Sequence, residues 1–154
     1  MVKVYNINMK IIVDADACPV KKEIVKIAKT HKIEVIMISD TSHVITSDYA
    51  KVVTVDKGAD SVDFALINMV KAGDIVVSQD YGVAAMALAK KAKAIGNGGV
   101  IYTDFNIDAL LTQRYLSKEN RRKHGKFGKV KNSGGPDREK FKQSFEKLID
   151  QQNQ

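Results

Sequence analysis

One cysteine, two prolines and no tryptophan occur in the 154 residues, and each shortage closes off a class of protein. Cys18 on its own cannot build a disulfide framework or a thiolate metal cluster, so stability has to come from a buried core in a reducing compartment. His31, His43 and His124 are scattered, with no spacing that marks a metal-ligand set. No apolar run reaches the roughly 18 residues a membrane span requires, and Met1 to Met9 lacks an arginine-rich targeting pattern or a small-residue cleavage site. The expectation is a cytoplasmic protein without membrane association. The glycines fall at turns and form no phosphate-cradling loop of recognised spacing.

What is present fits one domain. Hydrophobic residues at 44% and charged residues at 28% match an ordinary globular protein, and this length supports one core while leaving two halves marginal. The net charge of +7 is local. Between Gln113 and Gly135, Arg114, Lys118, Arg121, Arg122, Lys123, Lys126, Lys129 and Lys131 face the single acid Glu119, so the rest of the chain is neutral in sum. A positive excess confined to one glycine-containing segment points to a polyanion, RNA or another nucleic acid, ahead of a merely solvated face.

Lys10 to Val13 reads as a strand ending at Asp14, and Pro19 sits where the first turn of a helix running to about Thr30 would begin. Ile33–Ile38 is a further strand, too continuously apolar for a sheet with one wet face, and Lys51–Val55 reads as a third. A helix from Asp60 carries Val62, Ala65, Leu66, Met69 and Val70, and Gly73 with Asp74 ends it before the strand Ile75–Ser78. The alanine-rich stretch Val83–Lys91 predicts another helix, followed by short edge strands at Ala94–Ile95 and Val100–Tyr102. A helix from Phe105 or Asn106 would bury Ile107, Leu110, Leu111, Tyr115 and Leu116. The alternation predicts an α/β fold, a Rossmann-like three-layer α/β/α arrangement on a short parallel sheet. It divides into a core over 1–120, a basic flexible segment over 121–135 and a C-terminal helix over 136–151. That last helix carries Phe141, Phe145, Leu148 and Ile149 and packs on the same domain.

Asp14 and Asp16 follow the first strand directly, and Asp80 follows Ile75–Val77, so all three stand at carboxyl ends of strands, where ligands of parallel sheets bind. If these strands are neighbours, the acids converge, and Asp60 or Asp63 on the intervening helix supplies a fourth. Clustered carboxylates raise one another's pKa unless a cation intervenes. Mg²⁺ or Mn²⁺ suits such oxygen donors, with Asp14, Asp60, Asp63 and Asp80 as candidate ligands and Asp14, Asp16 and Asp80 as candidate catalytic residues. Helix capping competes for Asp16, Asp60 and Asp80, and Asp60 with Asp63 resembles a capping box. Gln79 and Tyr81 are secondary candidates for touching a base, and Asp104 for joining the acids. Cys18, with no base spaced to serve it, reads as a packing residue.

The blocks Asp14-Ala-Asp-Ala-Cys-Pro19, Gly58-Ala-Asp-Ser-Val-Asp63, Ser78-Gln-Asp-Tyr-Gly82, Tyr102-Thr103, Asn106-Ile-Asp108 and Arg121-Arg122 resemble, in this order, those of the YaiI/YqxD family of uncharacterised bacterial proteins. That family has been grouped with PIN-like and NYN-like domains. The resemblance implies a PIN-like α/β fold and, through better-known relatives, a Mg²⁺- or Mn²⁺-dependent ribonuclease. Asp14 would match the acid after the first strand, Asp60 or Asp63 the helix-borne acid and Asp80 the later strand-end acid. After Arg122 the likeness loosens, since Gly135-Pro136 leads at once into Asp137-Arg138.

The leading expectation is a metal-dependent ribonuclease-like phosphodiester hydrolase acting on RNA. Two rivals stand beside it. One is a nucleic-acid-binding protein without turnover. The other is a haloacid-dehalogenase-like phosphatase with Asp14 as nucleophile and Asp16 as general acid/base, suggested by Asp14-Ala-Asp16.

Overall fold

A computed structural model describes residues 9–124 and 137–152. Six strands, β1 (Lys10–Asp14), β2 (Glu34–Asp40), β3 (Lys51–Val55), β4 (Ile75–Val77), β5 (Lys93–Ile95) and β6 (Ile101–Tyr102), form one sheet in the order β3-β2-β1-β4-β5-β6. The first five are parallel, and β6 pairs antiparallel with β5. Five helices, α1 (Lys21–Thr30), α2 (Ser61–Met69), α3 (Tyr81–Ala89), α4 (Asp104–His124) and α5 (Arg138–Gln152), complete the three expected layers.

The central strands β1, β2 and β4 are apolar on both faces because both faces are covered, whereas the edge strand β3 buries no residue. Ile11 and Val13 of β1, with Val35, Met37, Ile75, Val77 and Ile95, meet α1 and α5. Ile12, between them in sequence, faces the other way with Ile36, Ile38, Val76 and Ala94, against α2, α3 and the start of α4. Alternation along a strand thus feeds two cores. No described helix is long and apolar enough to cross a membrane.

Several boundaries differ from expectation for local reasons. Pro19 lies in the turn before α1, and Val20 occupies the N-cap position without a side-chain cap. β5 is an interior strand, leaving β3 and β6 as the edges. Helix α4 starts at Asp104 because Thr103 and Asn106 cap it reciprocally. The Asn106 amide donates to Thr103 Oγ1 at 3.2 Å and the Thr103 amide to Asn106 Oδ1 at 2.9 Å.

The largest difference is the far end of α4. It continues to His124, so Arg121, Arg122 and Lys123 are helical, whereas the pattern predicts a flexible segment from 121. Leu, Lys, Glu and Arg are good helix formers and sustain it without an apolar stripe, aided by an Arg122–Glu119 pair at 3.3 Å. Tyr115 and Leu116, expected in the core, are 63% and 59% exposed. The rest of the basic segment, with Lys126, Lys129 and Lys131, lies outside the described residues.

Helix α5 buries Phe141, Phe145, Leu148 and Ile149 as its spacing predicts, with the two phenyl rings stacked at 5.2 Å. Arg138 fastens its start to α1, donating to Pro19 O at 2.7 Å and to Glu23 Oε1 at 3.1 Å.

Candidate functional site

Strands β1 and β4 are paired neighbours, with Val13 level with Val77. From β1 the chain builds outward through β2 and β3 on one side and through β4 and β5 on the other. The carboxyl ends of β1 and β4 therefore flank the switch point where parallel sheets open a crevice.

Asp14 and Ser78 occupy those ends. The Ser78 hydroxyl donates to Asp14 Oδ2 at 3.4 Å and accepts the Asp80 amide at 3.0 Å. Burial, followed by the charges of Asp16 and Asp80, raises the Asp14 pKa against the lowering effect of the Ser78 bond. Asp63, in the first turn of α2, is pushed up to about 6 by burial first and then by Asp80, Asp14 and Asp60, with Arg114 opposing. Asp14, Asp63 and Asp80 thus share one electrostatic neighbourhood, although they come from three elements.

Asp80 also has a structural task. Its Oδ1 accepts from the Gly82 and Val83 amides at 2.8 and 3.2 Å, capping α3. The same oxygen lies 3.4 Å from Arg114 Nη1 of α4. Asp60 stands at the start of α2 with φ 65° and makes no side-chain cap bond, so the anticipated capping box does not form.

Asp16 makes its hydrogen bonds toward β2, while its charge still raises the Asp14 pKa. Both its carboxylate oxygens receive the Asp40 amide, at 3.3 and 3.2 Å, and His43 Nδ1 lies 3.2 Å from Oδ1 of Asp16 and of Asp40. Among the described residues, Asp16, Asp40 and His43 are the one set of three or more acid, histidine or thiol side chains whose ligand atoms all lie within 4.8 Å. Asp14, Asp63 and Asp80 do not close to that spacing. Nothing in the spacing of the chain joins His43 to Asp16, because their meeting depends on β2 lying beside β1.

The secondary candidates divide. Gln79 Oε1 accepts the Asn97 amide and holds the turn between β5 and β6. Tyr81 meets Tyr102 edge to face at 5.8 Å and 71°. Tyr102, whose pKa is raised to about 12 by burial ahead of Tyr81 and Asp80, donates to Ser78 O at 3.2 Å. Asp104 is exposed in the first turn of α4 and is not among the charges that shift Asp14 or Asp63. Cys18 is buried and its thiol pKa is raised, chiefly by desolvation, which suits packing better than nucleophilic attack.

The basic residues of α4 are ordered by helix geometry. Ile107, Leu111, Arg114, Lys118 and Arg121 recur at alternating steps of four and three, so they share one face, with Leu110 and Arg122 beside it. Over the sheet that face is apolar, with Ile107 buried and the half-buried Leu110 and Leu111 packed against the core. From Arg114, level with Asp80, it becomes cationic, and residues 112–118 and 120–123 are exposed. Periodicity read over 103–123 as a single stripe would have shown this handover from apolar to basic.

Residues 12–151 match the family described as "Uncharacterized BCR, YaiI/YqxD family". Among similar proteins, each named UPF0178 protein, that of Lachnoclostridium phytofermentans is 61% identical over 118 residues, 77% of this chain and 78% of its own length. That of Ruminiclostridium cellulolyticum is 53% identical over 137 residues, 89% and 90% of the two chains. The Alkaliphilus oremlandii protein is 56% identical over 122 residues, 79% of each. No solved structure matches. With an acid-bearing switch point, a three-layer fold and likeness over most of its length, the chain belongs to the YaiI/YqxD family.

Proposed function

We propose that this chain is a metal-dependent ribonuclease-like phosphodiester hydrolase acting on RNA. The observation that carries the reading is the ion pair between Asp80 and Arg114, because it joins the acidic crevice to the first cation of the α4 stripe. An acid cluster binds cations and a basic stripe binds phosphates. Their contact puts both requirements of phosphodiester chemistry side by side.

The donor types suit a hard divalent ion, since carboxylates that raise one another's pKa are stabilised by such a charge, and binding one would draw together acids whose oxygens do not all lie within 4.8 Å of one another here. Asp14, Asp63 and Asp80 would hold Mg²⁺ or Mn²⁺, with Asp60 at the margin. When bound, the ion supplies Lewis-acid polarisation of a phosphoryl oxygen and a more acidic water. Ser78 orients Asp14 through its hydroxyl. Arg114 leaves Asp80 for a phosphate oxygen, and Lys118, Arg121 and Arg122 hold the next phosphates without reading bases. In hydrolysis the water oxygen bonds to phosphorus, the bond to the leaving ribose oxygen breaks, and that oxygen takes up a proton.

RNA binding without turnover is the second reading, favoured by the capping role of Asp80 and by the wide spacing of Asp14, Asp63 and Asp80. Cleavage of labelled single-stranded RNA with Mg²⁺ or Mn²⁺ separates the two. Metal-dependent cleavage that disappears in Asp14→Asn supports the hydrolase. Binding that weakens in Arg114→Gln, with no cleavage under either metal, supports the binding protein.

A further inference from the structure

Summed over residues, the chain outside 113–135 is neutral, but its charges are not evenly placed. Helix α1 carries Lys21, Lys22, Lys26 and Lys29. Lys21, Val25 and Lys29 are spaced by four, and Lys22 and Lys26 form the adjacent row, so the four ammonium groups share one flank around Val25. That flank is one wall of an open groove of about 770 Å³, whose other wall is Ile45 to Asp48 and whose floor includes Met37. Among the described residues, Asp48 is the one carboxylate lining it.

Fold stability does not account for three of these cations, Lys22, Lys26 and Lys29. Lys21 and Lys22 stand in the first turn of α1, where the helix dipole favours acids. Lys22, Lys26 and Lys29 are exposed, and among the described residues none forms an ion pair within 4.0 Å. Lys21 is tied to the site loop, its ammonium donating to Ala15 O at 3.0 Å and Cys18 O at 2.9 Å. The groove therefore starts at the sheet edge that carries Asp14 and Asp16, on the layer opposite α4.

We infer that this groove holds the backbone of the same RNA strand, which passes over the acidic edge from the α4 stripe to the α1 lysines; this rests on the RNA reading above. Charge complementarity and continuity with the acidic edge favour a nucleic acid over an acidic peptide. Val25, Met37 and Ile45 offer apolar surface to ribose or base, and among the described residues no aromatic ring lines the groove to stack on. Recognition there is of phosphates, independent of sequence.

The test is salt titration of binding to labelled oligouridylates of about 16 and about 4 nucleotides, the range of single-strand site sizes. It compares wild type with Lys22→Gln/Lys26→Gln/Lys29→Gln and with Arg114→Gln/Lys118→Gln/Arg121→Gln. Glutamine keeps helix propensity, and circular dichroism checks the fold. The α1 variant is expected to flatten the slope of log affinity against log salt by up to about 2 for the long strand, at about 0.7 per phosphate, and to leave the short strand unchanged. The α4 variant should weaken both. Long-strand curves for the α1 variant that superimpose on wild type, while the α4 variant loses binding, would overturn the groove and spare the RNA reading. If neither variant changes RNA binding, the RNA reading itself falls. Oligoglutamate binding that the α1 variant loses, with RNA affinity intact, would reassign the groove to an acidic protein and overturn the proposal.

Discussion

The hydroxyl of Ser78 donates to the carboxylate of Asp14 across 3.4 Å, joining the ends of two neighbouring strands whose residues lie 64 apart in sequence. Because the same hydroxyl accepts the Asp80 amide, one side chain sets the relation between two acids. Ser78→Ala should cost about 1 kcal/mol of stability and raise the Asp14 pKa further, since the lost bond lowers it. Carboxyl titration by NMR and urea unfolding check the two effects, and an unmoved Asp14 would show the bond to be inert.

Asp63 gives the crevice a pH dependence of known sign. Its folded pKa of about 6 exceeds the ordinary 3.8, so between those values the folded protein holds a proton that the unfolded chain has released. The resulting stability is complete below 3.8 and lost as pH rises through about 6. Asp14 shifts in the same direction. Urea midpoints should fall across that window, and fall less in Asp63→Asn. An equally steep decline in the variant would remove Asp63 as the source.

Asp80 can be divided into its two roles. Asparagine also caps helices, so Asp80→Asn should change stability by only a few tenths of a kcal/mol, whereas Asp80→Ala should cost about 1 kcal/mol. Both remove the charge. If the carboxylate serves a divalent ion, the two variants should lose Mn²⁺ affinity alike in calorimetric titration. Wild-type Mn²⁺ affinity in Asp80→Asn would reduce the residue to a cap.

Asp74 anchors the opposite end of the molecule. It is 1% exposed and accepts from the Lys10 and Lys71 amides at 3.1 and 2.8 Å and from the Lys10 ammonium at 2.6 Å. Asp74→Ala strands these donors and should cost about 3 kcal/mol, with no direct effect on RNA affinity. Urea unfolding beside an RNA titration separates this from any role in the crevice.

Much of the fold was legible. The limits of β3 coincide with Lys51–Val55, and Asp14 and Asp80 had to share an edge once their strands were parallel. What remained hidden depends on strand order, which local patterns do not encode. Asp16 meets Asp40 and His43 because β2 lies beside β1. Ser78 reaches Asp14 because β4 lies on the other side. The run of α4 past Lys118 is hidden for a different reason, since the apolar stripe ends there while propensity alone sustains the helix. Asp74 read as a helix terminator, and its buried bonds to Lys10 follow from β1 and β4 being neighbours.

The docking of α5 bears on how the protein is made. Phe141, Phe145, Leu148 and Ile149 fill the same core as Ile75, Val77 and Ile95, and no helix connects β2 to β3 on that face. During synthesis, which proceeds at roughly 5–20 residues per second, the sheet is complete once Tyr102 has emerged. Its α1-side face must then wait for residues 138–149. Throughout that interval a nascent chain presents Ile75, Val77 and Ile95 without the cover that α5 gives them, and the exposure ends only when α5 settles.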